Sequence, residues 1–219
     1  MRIAPGGWRY AVLALALGML AWPLSTLAGA LGTGLALGAL AFHRDPERRP
    51  PTSGVLAPAD GRVSVVREER GRVRVGVYMG VTDVHVNRAP MASRVEDTTH
   101  TPGANRPAFS KESDRNEKVE IDCGTFTVVQ IAGAFARRIH SSVRPGDVLD
   151  RGERIGHISF GSRVDVLLPT GIDREELHVR KGDRVVAGET VIAALDETPP
   201  ECERDPHHES AERSRCGSG

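Results

Sequence analysis

The order of apolar and polar positions divides the chain into unlike parts. Tyr10 to Phe42 is an uncharged run of 33 residues rich in Leu, Ala and Gly. From Val55 to about Leu195 the pattern becomes short alternating stretches, such as Arg62-Val-Ser-Val-Val, Val73-Arg-Val-Gly-Val-Tyr and Lys118-Val-Glu-Ile-Asp. Period-two alternation with β-branched residues and frequent Gly predicts strands with one buried face. The chain therefore reads as a helical apolar segment over 1–42, a connector over 43–53 and a mostly-β domain over 54–195. The connector, His43 to Ser53, is charged and Pro-rich and is expected to be extended. The last stretch, 196–219, has Pro199, Pro200 and several acids without apolar periodicity, and is expected to be disordered.

The uncharged run is too long for one plain membrane span of roughly 20 residues and short for two. Pro23 and Ser25 near its middle are turn residues, so a tight or shallow helical hairpin, or a kinked helix, is the expected membrane anchor. Arg2 and Arg9 precede it and Arg44, Arg48 and Arg49 follow it, which favours both ends on the cytoplasmic side. The competing reading is a cleaved signal peptide, but the apolar character continues past Ser25-Thr26-Leu27-Ala28.

An internal repeat lies within the β domain. Val143-Arg-Pro-Gly-Asp147 with Gly152-Glu153-Arg154-Ile155 matches Val179-Arg-Lys-Gly-Asp183 with Gly188-Glu189-Thr190-Val191, at a constant offset of 36 residues. Each copy predicts a strand, a Gly-Asp turn and a strand entered through Gly. Such repeats resemble the barrel-sandwich hybrid of biotinyl and lipoyl domains and related duplicated folds.

Charge narrows the function classes. The chain balances 29 Lys+Arg against 29 Asp+Glu. Because the first 42 residues hold only Arg2 and Arg9, the rest is near neutral, which argues against nucleic-acid binding. Three cysteines exclude a disulfide-stapled miniprotein, and Cys123, in an alternating run, is expected to be buried. His207-His208 and Cys216 lack a metal-ligand spacing, so no metal site is expected.

Three motifs carry candidate chemistry: Ala57-Pro58-Ala59-Asp60-Gly61, Asp83-Val84-His85-Val86-Asn87-Arg88-Ala89-Pro90 and Phe160-Gly161-Ser162-Arg163-Val164-Asp165. Together they supply an acid, a histidine and a serine, a set able to activate a hydroxyl nucleophile. Singly, Asp60-Gly61 is a common turn, a histidine in an alternating strand is commonly structural, and Gly161-Ser162 does not fit the G-x-S-x-G elbow.

In this order, with Asn116-Glu117, Ala132-Gly133 and Ala136-Arg137 between them, the motifs resemble the phosphatidylserine decarboxylase proenzymes, and specifically their short, archaeal-like type. The resemblance runs from about Leu56 to Pro169. It implies self-cleavage between Gly161 and Ser162, with Ser162 converted to a covalent pyruvoyl cofactor that accepts electrons as a serine phospholipid loses CO2. Asp60 then matches the family's aspartate implicated as base in self-cleavage. His85 matches the first histidine of a paired motif, a candidate for assisting cleavage or donating a proton after decarboxylation. Arg88 stands where longer bacterial enzymes have a second histidine, and is a candidate ligand for carboxylate or phosphate. Arg137 and Arg138 are further phosphate candidates, with a solvated surface pair as the competing reading. The implied partners are a membrane phospholipid, phosphatidylserine or archaetidylserine, and the chain's own two fragments, with a dimer of these suggested by the family. Catalysis is expected at the cytoplasmic face of the cell membrane.

The alternatives are a noncatalytic carrier or binding module, a membrane-tethered zinc peptidase and a structural membrane protein. A carrier needs a modifiable lysine, commonly flanked by Met, whereas Lys181 lies between Arg180 and Gly182. A zinc peptidase needs paired ligands, and His85 has no second histidine close by in sequence. A structural protein leaves the Gly161-Ser162 context unexplained.

Overall fold

The computed structural model describes residues 2–4, 7–103, 115–133, 139–158 and 161–195. Arg137, Arg138 and the 196–219 tail lie outside the described residues.

Two helices, α1 (Gly7–Ala21) and α2 (Thr26–Phe42), form the apolar part as an antiparallel hairpin. Pro23 lies in the turn, and the Ser25 hydroxyl caps α2 by accepting from Ala28 N. The helices touch through glycine: a Cβ on Gly32 would lie 2.4 Å from Gly18 Cα. Leucines and tryptophans point outward, with Leu24 90% exposed. Neither helix is long and apolar enough to cross a membrane.

The rest is built of short strands, so the expected mostly-β architecture is what the structure shows. The early strands are β1 (Arg2–Ile3), β2 (Arg44–Asp45), β3 (Val55–Leu56), β4 (Gly61–Glu69), β5 (Arg72–Tyr78), β6 (Val86–Arg88), β7 (Ser93–Arg94) and β8 (Asp97–Thr101). The later ones are β9 (Lys118–Asp122), β10 (Thr127–Ile131), β11 (Ile139–Ser141), β12 (Val148–Leu149), β13 (Arg154–Ile158), β14 (Arg163–Leu167), β15 (Arg184–Val185) and β16 (Val191–Ala193). A seven-stranded sheet runs β15-β4-β5-β14-β10-β9-β8, and a three-stranded sheet runs β11-β13-β6. All neighbouring strands in both are antiparallel.

Alternation sorts the large sheet into two faces. Val75, Val77, Val128, Val164 and Val166 face the main core, with Ile155 and Ile158 of β13. The other face carries a buried ionic cluster. Asp165, 0% exposed, accepts from Arg74 Nε and from Arg163 Nε, both at 2.7 Å. Cys123 is buried as expected, and burial pushes its thiol up to about 11.

The connector is held tightly. Asp45 is ion-paired with Arg88 at 3.0 Å and with Arg154 at 2.5 Å. Arg48 pairs with Asp60 at 2.8 Å.

The repeat is a structural duplication, and wider than the 36-residue offset suggests. Gly146 N and Gly182 N donate to Val95 O and Val63 O, each at 2.8 Å. Gly152 N and Gly188 N donate to Ala89 O and Ala57 O, each at 2.9 Å. Arg94 and Arg62 each donate a guanidinium N–H to the turn carbonyl, Gly146 O at 2.8 Å and Gly182 O at 3.0 Å. The partner segments therefore repeat as well: Ala57-Pro58…Arg62-Val63 against Ala89-Pro90…Arg94-Val95, at an offset of 32. Sequence reading missed this second half because only four of its seven positions are identical.

Candidate active site

The Gly161–Ser162 bond leads into β14, a central strand of the large sheet. Gly161 has φ +63, a left-handed conformation that glycine adopts without penalty. A Cβ there would meet only Tyr78 Oη at 3.8 Å, so backbone conformation rather than crowding asks for glycine. Ser162 is 0% exposed, and its carbonyl accepts from Met79 N at 2.9 Å. Its hydroxyl has no hydrogen-bond partner among the described residues.

Asp60 reaches the same end of the sheet. Gly61 opens β4 with φ +143, and a Cβ on it would fall 2.0 Å from Tyr78 O. Only glycine permits that approach, which brings Asp60-Gly61 beside Tyr78 and Met79. The Asp60 carboxylate is occupied: Arg48 donates to both oxygens, at 3.0 and 2.8 Å, and Ala187 N donates to Oδ1 at 2.8 Å. Burial nevertheless raises its pKa, against the hydrogen bond from Ala187 and the charge of Arg48.

His85 precedes β6 and is 4% exposed. Burial lowers its pKa to about 4, so the ring is neutral at physiological pH. Its Nδ1 lies 2.9 Å from Asp83 O. A carbonyl only accepts, so Nδ1 carries the proton and Nε2 keeps a lone pair. That Nε2 is buried without a partner among the described residues. Asp83 is fixed by Gly80 N at 2.8 Å and by Arg184 at 2.8 Å.

Phe42, at the end of α2, stacks against His85 with ring centroids 4.3 Å apart. A small cavity at this junction is lined by Ala4, Phe42, His43, Arg44, His85 and His157, among others. The apolar hairpin thus ends on the candidate histidine. His157, on β13, stacks on His140 at 4.5 Å, and burial with neighbouring imidazoles lowers it to about 4. It is a second neutral imidazole at the cavity, absent from the sequence-based candidates because its stretch, Ile155-Gly-His-Ile158, reads as plain strand.

Arg88, the candidate ligand for carboxylate or phosphate, is engaged within the fold. It is 5% exposed, and its guanidinium is used by Asp45, by Gly152 O at 2.9 Å and by Pro46 O at 2.9 Å. It fastens the connector to the β domain. The sequence suggested a ligand because arginines are common at phosphate sites, while the partner acid is 43 residues away in the chain.

Asn116, just ahead of β9, donates from Nδ2 to Ala132 O at 2.8 Å. Asn87 and Gln130 form a buried amide pair at 2.8 Å. Neither was singled out from sequence, although Asn87 lies inside the His85 motif.

Relatives match this arrangement along most of the chain. The family model of phosphatidylserine decarboxylase matches residues 35–193. An inferred archaetidylserine decarboxylase proenzyme of Halobacterium salinarum is 55% identical over 86% of this chain and 97% of its own length. The phosphatidylserine decarboxylase proenzyme of Streptomyces coelicolor is 47% identical, covering 73% of this chain and 74% of its own. An inferred archaetidylserine decarboxylase proenzyme of Methanosarcina barkeri is 44% identical, covering 70% of this chain and 75% of its own. No solved structure matches. A family match that spans the Asp60, His85 and Ser162 motifs, with relatives covered over most of their length, places this chain in the phosphatidylserine decarboxylase family, and it is a decarboxylase.

Proposed function

We propose that the protein converts a serine phospholipid, phosphatidylserine or archaetidylserine, to the ethanolamine phospholipid after cutting itself between Gly161 and Ser162. The observation that carries this reading is the fully buried Ser162 hydroxyl, unpartnered, next to a glycine held at φ +63. A buried polar atom left without a partner is costly and calls for a reason. A nucleophile poised for its own backbone is such a reason.

In the cut, Ser162 Oγ attacks the Gly161 carbonyl carbon, the C–N bond breaks, and the freed nitrogen takes up a proton. The resulting ester loses the Ser162 α-proton, and Gly161 leaves as a carboxylate. Water then replaces nitrogen on the dehydroalanine, releasing ammonia and leaving an N-terminal pyruvoyl group. His85 is suited to accept the hydroxyl proton through Nε2, because its ring is neutral and its tautomer is set by Asp83 O. The Arg48–Asp60 pair holds Gly61 against Tyr78 and Met79, so Asp60 acts on the cut through the backbone that carries Ser162.

The residues fit a pyruvoyl group: the serine that would yield it is fully buried just ahead of β14, with its carbonyl held by Met79 N. When present, the group supplies an electron-accepting carbonyl that lets the substrate carboxyl leave as CO2. The chain then has to seat the head group, exclude water and return a proton.

The helical hairpin serves as a membrane anchor. Helices of 15 and 17 residues reach about 22 and 26 Å, short of a ~30 Å hydrocarbon core, so a shallow hairpin entering from one side fits. Flanking arginines favour the cytoplasmic face. The contact between Phe42 and His85 supports a site beside the bilayer. The β domain, with its two equivalent strand-turn units, is of the barrel-sandwich-hybrid type.

The mass of purified wild-type protein tests the reading. Fragments 1–161 and 162–219 are expected, the smaller blocked to Edman sequencing, while Ser162→Ala remains one inactive chain. Active protein that stays a single 219-residue chain overturns it. Lipid extraction with mass spectrometry separates ester from ether substrates.

A further inference from the structure

Ser162 Oγ and His85 Nε2 both have work in the self-cleavage reading. Another buried atom, Gln130 Oε1, also lacks a partner among the described residues and has no work in that reading.

Gln130 is 0% exposed on β10. It stands opposite Val164 of β14, and directly opposed residues in antiparallel strands share a face. Ser162 lies two residues before Val164, so its side chain is on that face too, diagonal to Gln130. Diagonal neighbours are about 7–8 Å apart, within the reach of a glutamine. On the other flank of β14, Met79 N is bound to Ser162 O.

Asn87, on β6 of the three-stranded sheet, spans these flanks. Its Oδ1 accepts from Gln130 Nε2 at 2.8 Å, and its Nδ2 is 3.5 Å from Met79 Sδ. The pair fixes the orientation of the Gln130 amide: nitrogen is committed to Asn87, so oxygen is left as an acceptor. Space for the amide is kept by Gly156, whose Cβ would lie 2.8 Å from Gln130 Nε2. The result is an oriented, buried acceptor beside residue 162, waiting for a donor.

The Ser162 hydroxyl is not a lasting donor, because its proton must leave for the attack and its oxygen departs with Gly161. The group that must later come to residue 162 is the head-group amine, which has N–H donors to spare. We infer that Gln130, oriented by Asn87, binds the amine of the serine head group and positions it at the carbonyl formed from Ser162. This rests on the self-cleavage reading, and it adds a residue that acts after the cut.

Gln130→Met keeps the length and removes the acceptor, while Gln130→Glu keeps an acceptor. Both are expected to be cut to the wild-type extent, read by fragment mass, with thermal unfolding checked in parallel. For Gln130→Met, kcat/KM for a serine phospholipid in mixed micelles is expected to fall at least tenfold. Reductive capture of the head-group amine on the 162–219 fragment, with cyanoborohydride and mass readout, is expected to fall in parallel. Gln130→Glu should recover part of both. A cut Gln130→Met enzyme with wild-type kcat/KM and capture overturns the inference and leaves the proposed function standing. So does an uncut Gln130→Met or equal loss in both variants, since either would make Gln130 a residue of maturation or of the core. An uncut wild-type chain overturns the self-cleavage reading itself.

Discussion

The two strand-turn units of the β domain share a backbone and differ in what they carry. In one, Ala57–Val63 meets the turn at Gly182-Asp183; in the other, Ala89–Val95 meets the turn at Gly146-Asp147. Where the first has Asp60, half-buried against Arg48, the second has Ala92, exposed. Where the first has Gly61, pressed on Tyr78 O, the second has Ser93, which already bears a side chain. The second unit adjoins both imidazoles: His85 just before β6, which leads into Ala89, and His157 on β13, which follows Gly152. The shared hydrogen bonds make the frame, and the residues set on it differ between the units.

The comparison can be broken most easily at Asp60. Asp60→Ala leaves half-buried Arg48 with only Glu189, at 3.4 Å, as an acidic partner, and is expected to cost about 2 kcal/mol in urea unfolding of the Ser162→Ala chain. Ala92→Asp, at the equivalent exposed position, is expected to change stability by less than about 0.5 kcal/mol. Similar costs at both sites would mean that the units are not differentiated as described.

Acid sharpens the contrast from the side of the second unit. His85 has a folded pKa of about 4 against 6.5 when unfolded. The unfolded chain therefore binds the proton first, so stability present above pH 6.5 is lost as pH falls towards 4 and levels off below it. The loss is on the order of 3 kcal/mol for this group. His85→Leu should flatten that part of the pH profile of the urea midpoint; an unchanged slope would refute the buried neutral imidazole.

The smallest expected effect tests the shared frame itself. Val63 and Val95 are 2% and 1% exposed and hold equivalent turns. Val63→Ala and Val95→Ala should each cost about 2 kcal/mol, agreeing within about 1 kcal/mol. A large difference would show that one turn carries the domain.

Much of this was legible in the chain. Alternation in Val73–Tyr78 and Lys118–Asp122 marked strands because side-chain period follows from the pleat, a local property. The 36-residue repeat was visible because each Gly-Asp turn needs the same residues in order. Ser162, His85 and Asp60 were legible as a combination of motifs. The Gln130–Asn87 and Arg88–Asp45 pairs did not stand out, because the partners in each are 43 residues apart in the chain.

The sequence by itself determined the apolar helical segment, the β domain and the family motifs, since period, turn chemistry and residue type are encoded locally. Tertiary structure alone decided which charges are occupied. Asp60 is bound by Arg48, Arg88 is used by Asp45, and Asn87 turns the Gln130 amide so that its oxygen is free. The physical reason is that a polar group's role depends on whether burial leaves it a partner, and burial is a property of the folded chain.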